Sequence, residues 1–196
     1  NFGELFAITL GLIGSYYGLP IGLLAIHILL IDLLGEIMPL MALTWDSPTS
    51  DVMTERPRDL SQHVLNTRVI ADIAISGFFM GLAGYAGYLI FLKLSGQPFG
   101  SIDDKSLLYQ EATTITYASI VFSQWWNVLG RRLGTQSIFN KYFFTNSKLW
   151  LSYAVTLPLI AAVMYLPLLQ PYTKMTGLGL QGWLIVLAMS IGFMLI

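Results

Sequence analysis

Asp32 and Glu36 stand four residues apart inside an apolar run, residues 23–43, that is long enough to cross a bilayer. That spacing puts both carboxylates on one face of a helix. Like charges this close in a medium of low dielectric repel strongly, so they need a cation between them or a shared proton. Gly35 and Pro39 accompany them. Pro39 removes a backbone donor and, in an unbroken helix, crowds the carbonyl of Gly35. A local unwinding near Gly35 and Pro39, with carbonyls turned toward the acids, is the expected result, and broken helices at mid-membrane make ion sites.

Two further pairs offer similar chemistry. Asn1 and Glu4 are three residues apart, as are Gln124 and Asn127, so each pair shares a helix face. Together Asn1, Glu4, Asp32, Glu36, Gln124 and Asn127 present carboxylate and amide oxygens. These are hard donors that suit Ca²⁺, Na⁺, K⁺ or Mg²⁺ and not softer metals. The bland readings are an interfacial Glu4, acids that pair helices through one proton, and a Gln124 and Asn127 that merely sit near a span end. His27, five residues before Asp32, is read as a packed or hydrogen-bonded side chain and not as a ligand.

The composition says what surrounds these groups. The chain of 196 residues is 55% hydrophobic and 11% charged, with no cysteine, and its mean hydropathy is +0.67. A soluble domain would carry about 25% charge. The expected class is therefore all-α, a polytopic membrane protein built as a bundle of six transmembrane helices. No segment alternates at period two as a membrane strand would. The bilayer is the expected partner, and no basic run points to nucleic acid. Thiolate metal sites and cysteine nucleophiles are excluded, and no phosphate loop, HExxH or nucleophile and base pairing is present. The chain has no catalytic centre of its own.

Six spans follow, at about residues 1–17, 21–43, 69–92, 111–130, 149–169 and 180–196, in a single membrane domain. The first two form a hairpin around Gly18 and Pro20. Glu4 lies fourteen residues before Gly18 and Asp32 fourteen after it, which sets them at similar depth. Gly77, Gly81, Gly84 and Gly87 share a face of the third span and predict close helix packing. Arg56, Arg58, Arg68, Arg131, Arg132, Lys141 and Lys148 lie on one side, against Lys93, Lys105 and Lys174 on the other. The excess puts loops 44–68 and 130–148, and both termini, in the cytoplasm. The chain starts at Asn1 and ends at Ile196 within apolar sequence, so it is expected to be a fragment of a longer protein.

The residues resemble the C-terminal membrane region, the fifth to tenth membrane helices, of type II P-type cation-transporting ATPases. NFGE at 1–4 is similar to the Asn-x-x-Glu of the family's fifth membrane helix, and IDLLGEIMP at 31–39 to its sixth-helix pattern. DVMTERPRD at 51–59 resembles the cytoplasmic segment that follows, and QWWN at 124–127 the eighth-helix segment of sodium/potassium pumps. The resemblance implies an ATP-driven pump in which Asn1, Glu4, Asp32, Glu36, Gln124 and Asn127 are ion ligands. It also implies further membrane helices and cytoplasmic domains of the same polypeptide, where ATP and Mg²⁺ act. A stand-alone cation carrier or channel, or a structural membrane module, are the competing classes. Departures from the family pattern leave the ion open. Gly35 replaces the usual Thr or Ser, Glu36 the usual Asp, and Asp32 is as in sodium/potassium pumps where calcium pumps commonly have Asn. AIH at 25–27 and TWD at 44–46 are closer to magnesium pumps.

Overall fold

The computed structural model describes residues 2–46, 66–96, 98, 102–133 and 143–195. Asn1, His63, Lys141 and the segment 51–59 lie outside the described residues. The described residues form seven helices and no strand, joined by turns and irregular segments. These are α1 (Phe2–Tyr16), α2 (Ala25–Leu43), α3 (Thr67–Leu94), α4 (Leu107–Leu133), α5 (Ser147–Tyr165), the single turn α6 (Gln170–Thr173) and α7 (Leu180–Met194). By length and composition α2, α3 and α5 can each cross a membrane, while α1 and α7 are shorter apolar helices.

Local chemistry sets the helix ends. After α1, Gly18 adopts φ 81°, and Leu19 N–H and Gly18 N–H bond the carbonyls of Gly14 and Ser15 at 3.1 Å each. This is a Schellman cap, in which glycine takes the left-handed position at no steric cost. The Tyr88 hydroxyl from α3 donates to Pro20 O at 2.9 Å and that of Tyr109 from α4 to Ile21 O at 2.6 Å, so the α1–α2 turn is tied down at its tip. Asn66 Oδ1 caps α3 by accepting from Val69 N–H at 2.9 Å. Asn146 caps α5 in the same way through Leu149 N–H, and its amide also donates to Ala42 O at the end of α2, at 3.1 Å. The fifth span was expected to run to residue 169. The helix stops at Tyr165 because Pro167 disfavours helical backbone in the residue before it.

The core is organised around α4, which packs on α3 and α7 and touches the middle of α2. Along it Ala112, Ile115, Tyr117, Ile120 and Val121 are buried, and so are Thr113, Thr114, Thr116, Ser119 and Ser123. The least apolar of the long helices is thus the most enclosed, with the more apolar ones outside it. Threonine hydroxyls on α4 turn back to carbonyls of their own helix, as Thr114 does to Gln110 O at 2.6 Å. At the end of α4 Arg132, its side chain 1% exposed, bonds Asp46 beyond α2 and Thr145 before α5, each at 2.5 Å.

α1 lies against α3 through small residues on both sides. Its buried face is Gly3, Glu4, Ala7, Gly11 and Gly14, and α3 contributes Gly77 and Gly81. A Cβ on Gly81 would meet Gly3 O and Phe6 Cβ at 2.7 Å and Ala7 N at 2.8 Å. The four glycines expected on one face all allow close packing but serve different neighbours: Gly77 and Gly81 meet α1, Gly84 meets α4, and Gly87 meets α4 and α7.

In α2 the expected unwinding takes the form of a π-helical stretch, Ile31–Glu36. Ile37 N–H bonds Asp32 O, five residues back, so the turn is widened while the chain stays helical. Pro39 has no N–H to give Gly35 O, and the indole of Trp125 on α4 donates to that carbonyl at 3.0 Å. A side chain from another helix thereby replaces the bond the proline removes.

Two outcomes follow for the intact protein in detergent, measured by thermal unfolding. Gly81→Ala is expected to lose about 1–3 kcal/mol through overpacking on the α1 backbone, whereas Gly192→Ala, where a Cβ meets nothing within 4 Å, changes little. Trp125→Phe leaves Gly35 O unpaired and is expected to cost about 1–3 kcal/mol. In a Pro39→Ala background, which restores the backbone donor, the same change should cost less, with a coupling of about 1 kcal/mol.

Candidate cation site

Glu4 sits in the first turn of α1 on the small-residue face, so the side that presses α1 into the bundle also carries its carboxylate inward. It is 2% exposed. Asp32 and Glu36 project from the π-helical stretch of α2 and are half-buried. One oxygen from each of Glu4, Asp32 and Glu36 lies within 4.8 Å of the others. The equal depth expected across the hairpin is what brings Glu4 to the pair on α2.

Gln124 reaches this group from α4. Its Nε2 donates to Glu4 Oε1 at 2.9 Å and to Glu36 Oε1 at 2.6 Å. Both hydrogens of one amide are thus spent on two carboxylates, which fixes the amide's orientation. Glu4 Oε2 and Gln124 Oε1 are buried with no hydrogen-bond partner. Buried acceptors without donors are costly unless something positive meets them. The donor set is all oxygen, and it fits a hard cation.

Gly35 lets α2 and α4 approach here. A Cβ at this position would lie 3.3 Å from Val121 Cγ2 and 3.5 Å from Gln124 Oε1. The neighbouring Trp125, buried, holds the Gly35 carbonyl and stacks on Tyr153 with ring centroids 4.6 Å apart. Tyr153 in turn donates to Trp125 O at 3.2 Å.

Asn127 stands apart from the carboxylates. It lines a cavity of about 310 Å³ that also reaches Glu36 and Gln124, but its Oδ1 accepts from Arg131 Nε at 3.0 Å. Asn1 is outside the described residues. His27 is fully buried, with Nε2 at 3.1 Å from Thr173 O and its ring edge-on to Tyr117; it ties α2 to the α6 turn. Sequence reasoning missed Trp125 and Arg131. The signal for Trp125 was its place beside Gln124 opposite a proline-bearing helix, and for Arg131 its place four residues after Asn127.

A family profile described as "Cation transporting ATPase, C-terminus" matches residues 20–196. A calcium-transporting ATPase of Bacillus subtilis is 28% identical over 190 residues, covering 97% of this chain and 20% of that protein. Calcium-transporting ATPase 1 of Bacillus cereus is 28% identical over 200 residues, with 97% and 22% covered. An endoplasmic reticulum calcium ATPase of Aspergillus fumigatus is 23% identical over 210 residues, with 97% and 21% covered. The chain spans about a fifth of the length of the curated relatives it matches. With its oxygen-lined site inside an apolar helical bundle, the chain belongs to the cation-transporting ATPases, as the C-terminal, multi-pass membrane region of the type II P-type kind.

Proposed function

We propose that this chain is the ion-coordinating membrane part of an ATP-driven pump and that its cargo is Ca²⁺. One observation carries the reading: three carboxylate oxygens within 4.8 Å of one another, from two helices, joined by Gln124 from a third. Ca²⁺ takes six to eight oxygens in flexible geometry. Glu4, Asp32 and Glu36 supply the charge, and Gln124 Oε1 a neutral oxygen. Asn1 is a ligand by its place one turn before Glu4, and Asn127 becomes one where Arg131 releases it. The names of the relatives, all calcium-transporting ATPases, support Ca²⁺ over Na⁺, K⁺ or Mg²⁺.

The remaining ligands, and the ATP and Mg²⁺ that drive the cycle, belong to the rest of the polypeptide. In this reading the chain crosses the bilayer six times, with loops 44–68 and 130–148 and both termini in the cytoplasm. The π-helical stretch of α2 is the element suited to alternate access. Its widened turn already lacks the regular ladder, so it can rewind without breaking a complete set of helix bonds.

In the full-length protein, Glu36→Gln and Asp32→Asn are each expected to lower the apparent Ca²⁺ affinity of phosphorylation from ATP by about 100-fold or more, a loss of about 2.7 kcal/mol. Equilibrium binding of labelled Ca²⁺ to the same variants should fall in parallel. Full Ca²⁺-dependent phosphorylation in both variants would remove these residues from the site. Saturable Na⁺ or Mg²⁺ binding, with none for Ca²⁺, would reassign the cargo.

A further inference from the structure

The Gly35 carbonyl belongs to the turn that carries both acids of α2, three residues after Asp32 and one before Glu36. Pro39 gives it no donor, so its bond comes from the Trp125 indole at 3.0 Å. That bond is only as firm as the indole is. An N–H···O bond weakens steeply as it bends, and an indole free to turn about its side-chain torsions would hold the turn at no fixed width.

What fixes the indole is a ring from another helix. Tyr153 of α5 stacks on Trp125 with centroids 4.6 Å apart and planes at 25°, and its hydroxyl donates to Trp125 O at 3.2 Å. The stack sets the plane of the indole, and the hydroxyl sets the place of its backbone. Behind Tyr153 stands Trp150, edge-on with centroids 5.8 Å apart, its own indole N–H bonded to Phe143 O at 3.1 Å. Gly35, Trp125 and Tyr153 are all buried, and Tyr153 supplies none of the carboxylate oxygens of the cluster.

We propose, on the reading of the site given above, that Tyr153 is a positioning residue for the cation site. By clamping Trp125 it fixes the Gly35 carbonyl, and with it the width of the turn that spaces Asp32 from Glu36. A change in that width moves one carboxylate relative to the other. α5 thereby tunes cation affinity without touching the cation. α5 also meets α2 directly, where Thr156 Oγ1 lies 3.8 Å from Met38 Sδ. That contact does not pass through Trp125 and serves as the comparison.

The test is the Ca²⁺ dependence of phosphorylation from ATP in the full-length pump, with thermal unfolding measured on the same preparations. Tyr153→Leu is expected to raise the half-saturating Ca²⁺ concentration about tenfold, with phosphorylation at saturating Ca²⁺ unchanged per folded molecule. Tyr153→Met serves if the leucine variant does not fold. Tyr153→Phe keeps the stack and should stay within about threefold of wild type. Trp125→Phe, which lacks the donor, should lower affinity at least as much as Tyr153→Leu, and combining the two should lower it no further. Thr156→Val should keep wild-type affinity. A Tyr153→Leu pump that loses thermal stability but keeps wild-type affinity overturns the assignment. So does a full additional loss in the Trp125→Phe background, or an equal loss in Thr156→Val. Glu36→Gln, run alongside, separates the two readings. Its loss of affinity beside an unaffected Tyr153→Leu strikes the positioning role alone, whereas wild-type affinity in Glu36→Gln strikes the site beneath it.

Discussion

Three carboxylates share a few ångström of bundle interior, and the architecture follows from that repulsion. At the 4.8 Å spread of their oxygens, each ionised pair repels by about 3.5 kcal/mol at an effective dielectric near 20. Three such pairs amount to about 10 kcal/mol. The two hydrogen bonds from Gln124, at roughly 1.5–3 kcal/mol each to charged acceptors, offset about 6 kcal/mol of this at best. The amide therefore sets the geometry of the cluster but does not neutralise it. Neutralisation has to come from a cation or from protons, which is the property that makes such a cluster sensitive to what is bound.

Holding the acids in place requires helices closer than ordinary side chains permit. The α1–α3 contact runs through Gly3, Gly77 and Gly81, where a single added Cβ would strike Met80, Phe2 and the α1 backbone respectively. That contact also buries Glu4, since it sits in the same stripe as Gly3 and Ala7. On the other side α2 has to open without exposing its carbonyls to the bundle interior. A π-helical stretch widens the turn, Pro39 withholds one donor, and Trp125 returns it. Tyr88 and Tyr109 hold the hairpin at its far end. The opening is thus localised at the acids, and both ends of the hairpin stay fastened.

Much of this is legible in the sequence because it depends on spacing. Asp32 and Glu36 at i and i+4, Glu4 at equal depth across a glycine turn, and glycines at three- and four-residue intervals are geometric statements. What escapes is competition for a shared partner. Gln124 and Asn127 have equal standing by periodicity, yet Arg131 lies four residues after Asn127 and takes its amide oxygen, while nothing takes that of Gln124. The position of α4 was also hidden. Its low hydropathy marks it as poor at facing lipid, but which helices shield it depends on tertiary packing. Asn1 and the segment 51–59, which carried part of the resemblance, lie outside the described residues.

The departures from the family pattern around residue 35 are coupled in space. Gly35 leaves room beside the acids, and that room holds Val121 and Gln124 Oε1, the latter 3.5 Å from where a Cβ would stand. The side-chain oxygen nearest this position thus comes from α4. Glu36 in place of a shorter acid extends its carboxylate by one methylene, and that carboxylate meets Gln124 Nε2 at 2.6 Å. A larger residue at position 35 would press on Val121 and on the amide that bonds Glu36. The three residues depend on one another sterically: the side chain missing at Gly35 admits the α4 amide that bonds the carboxylate of the next residue.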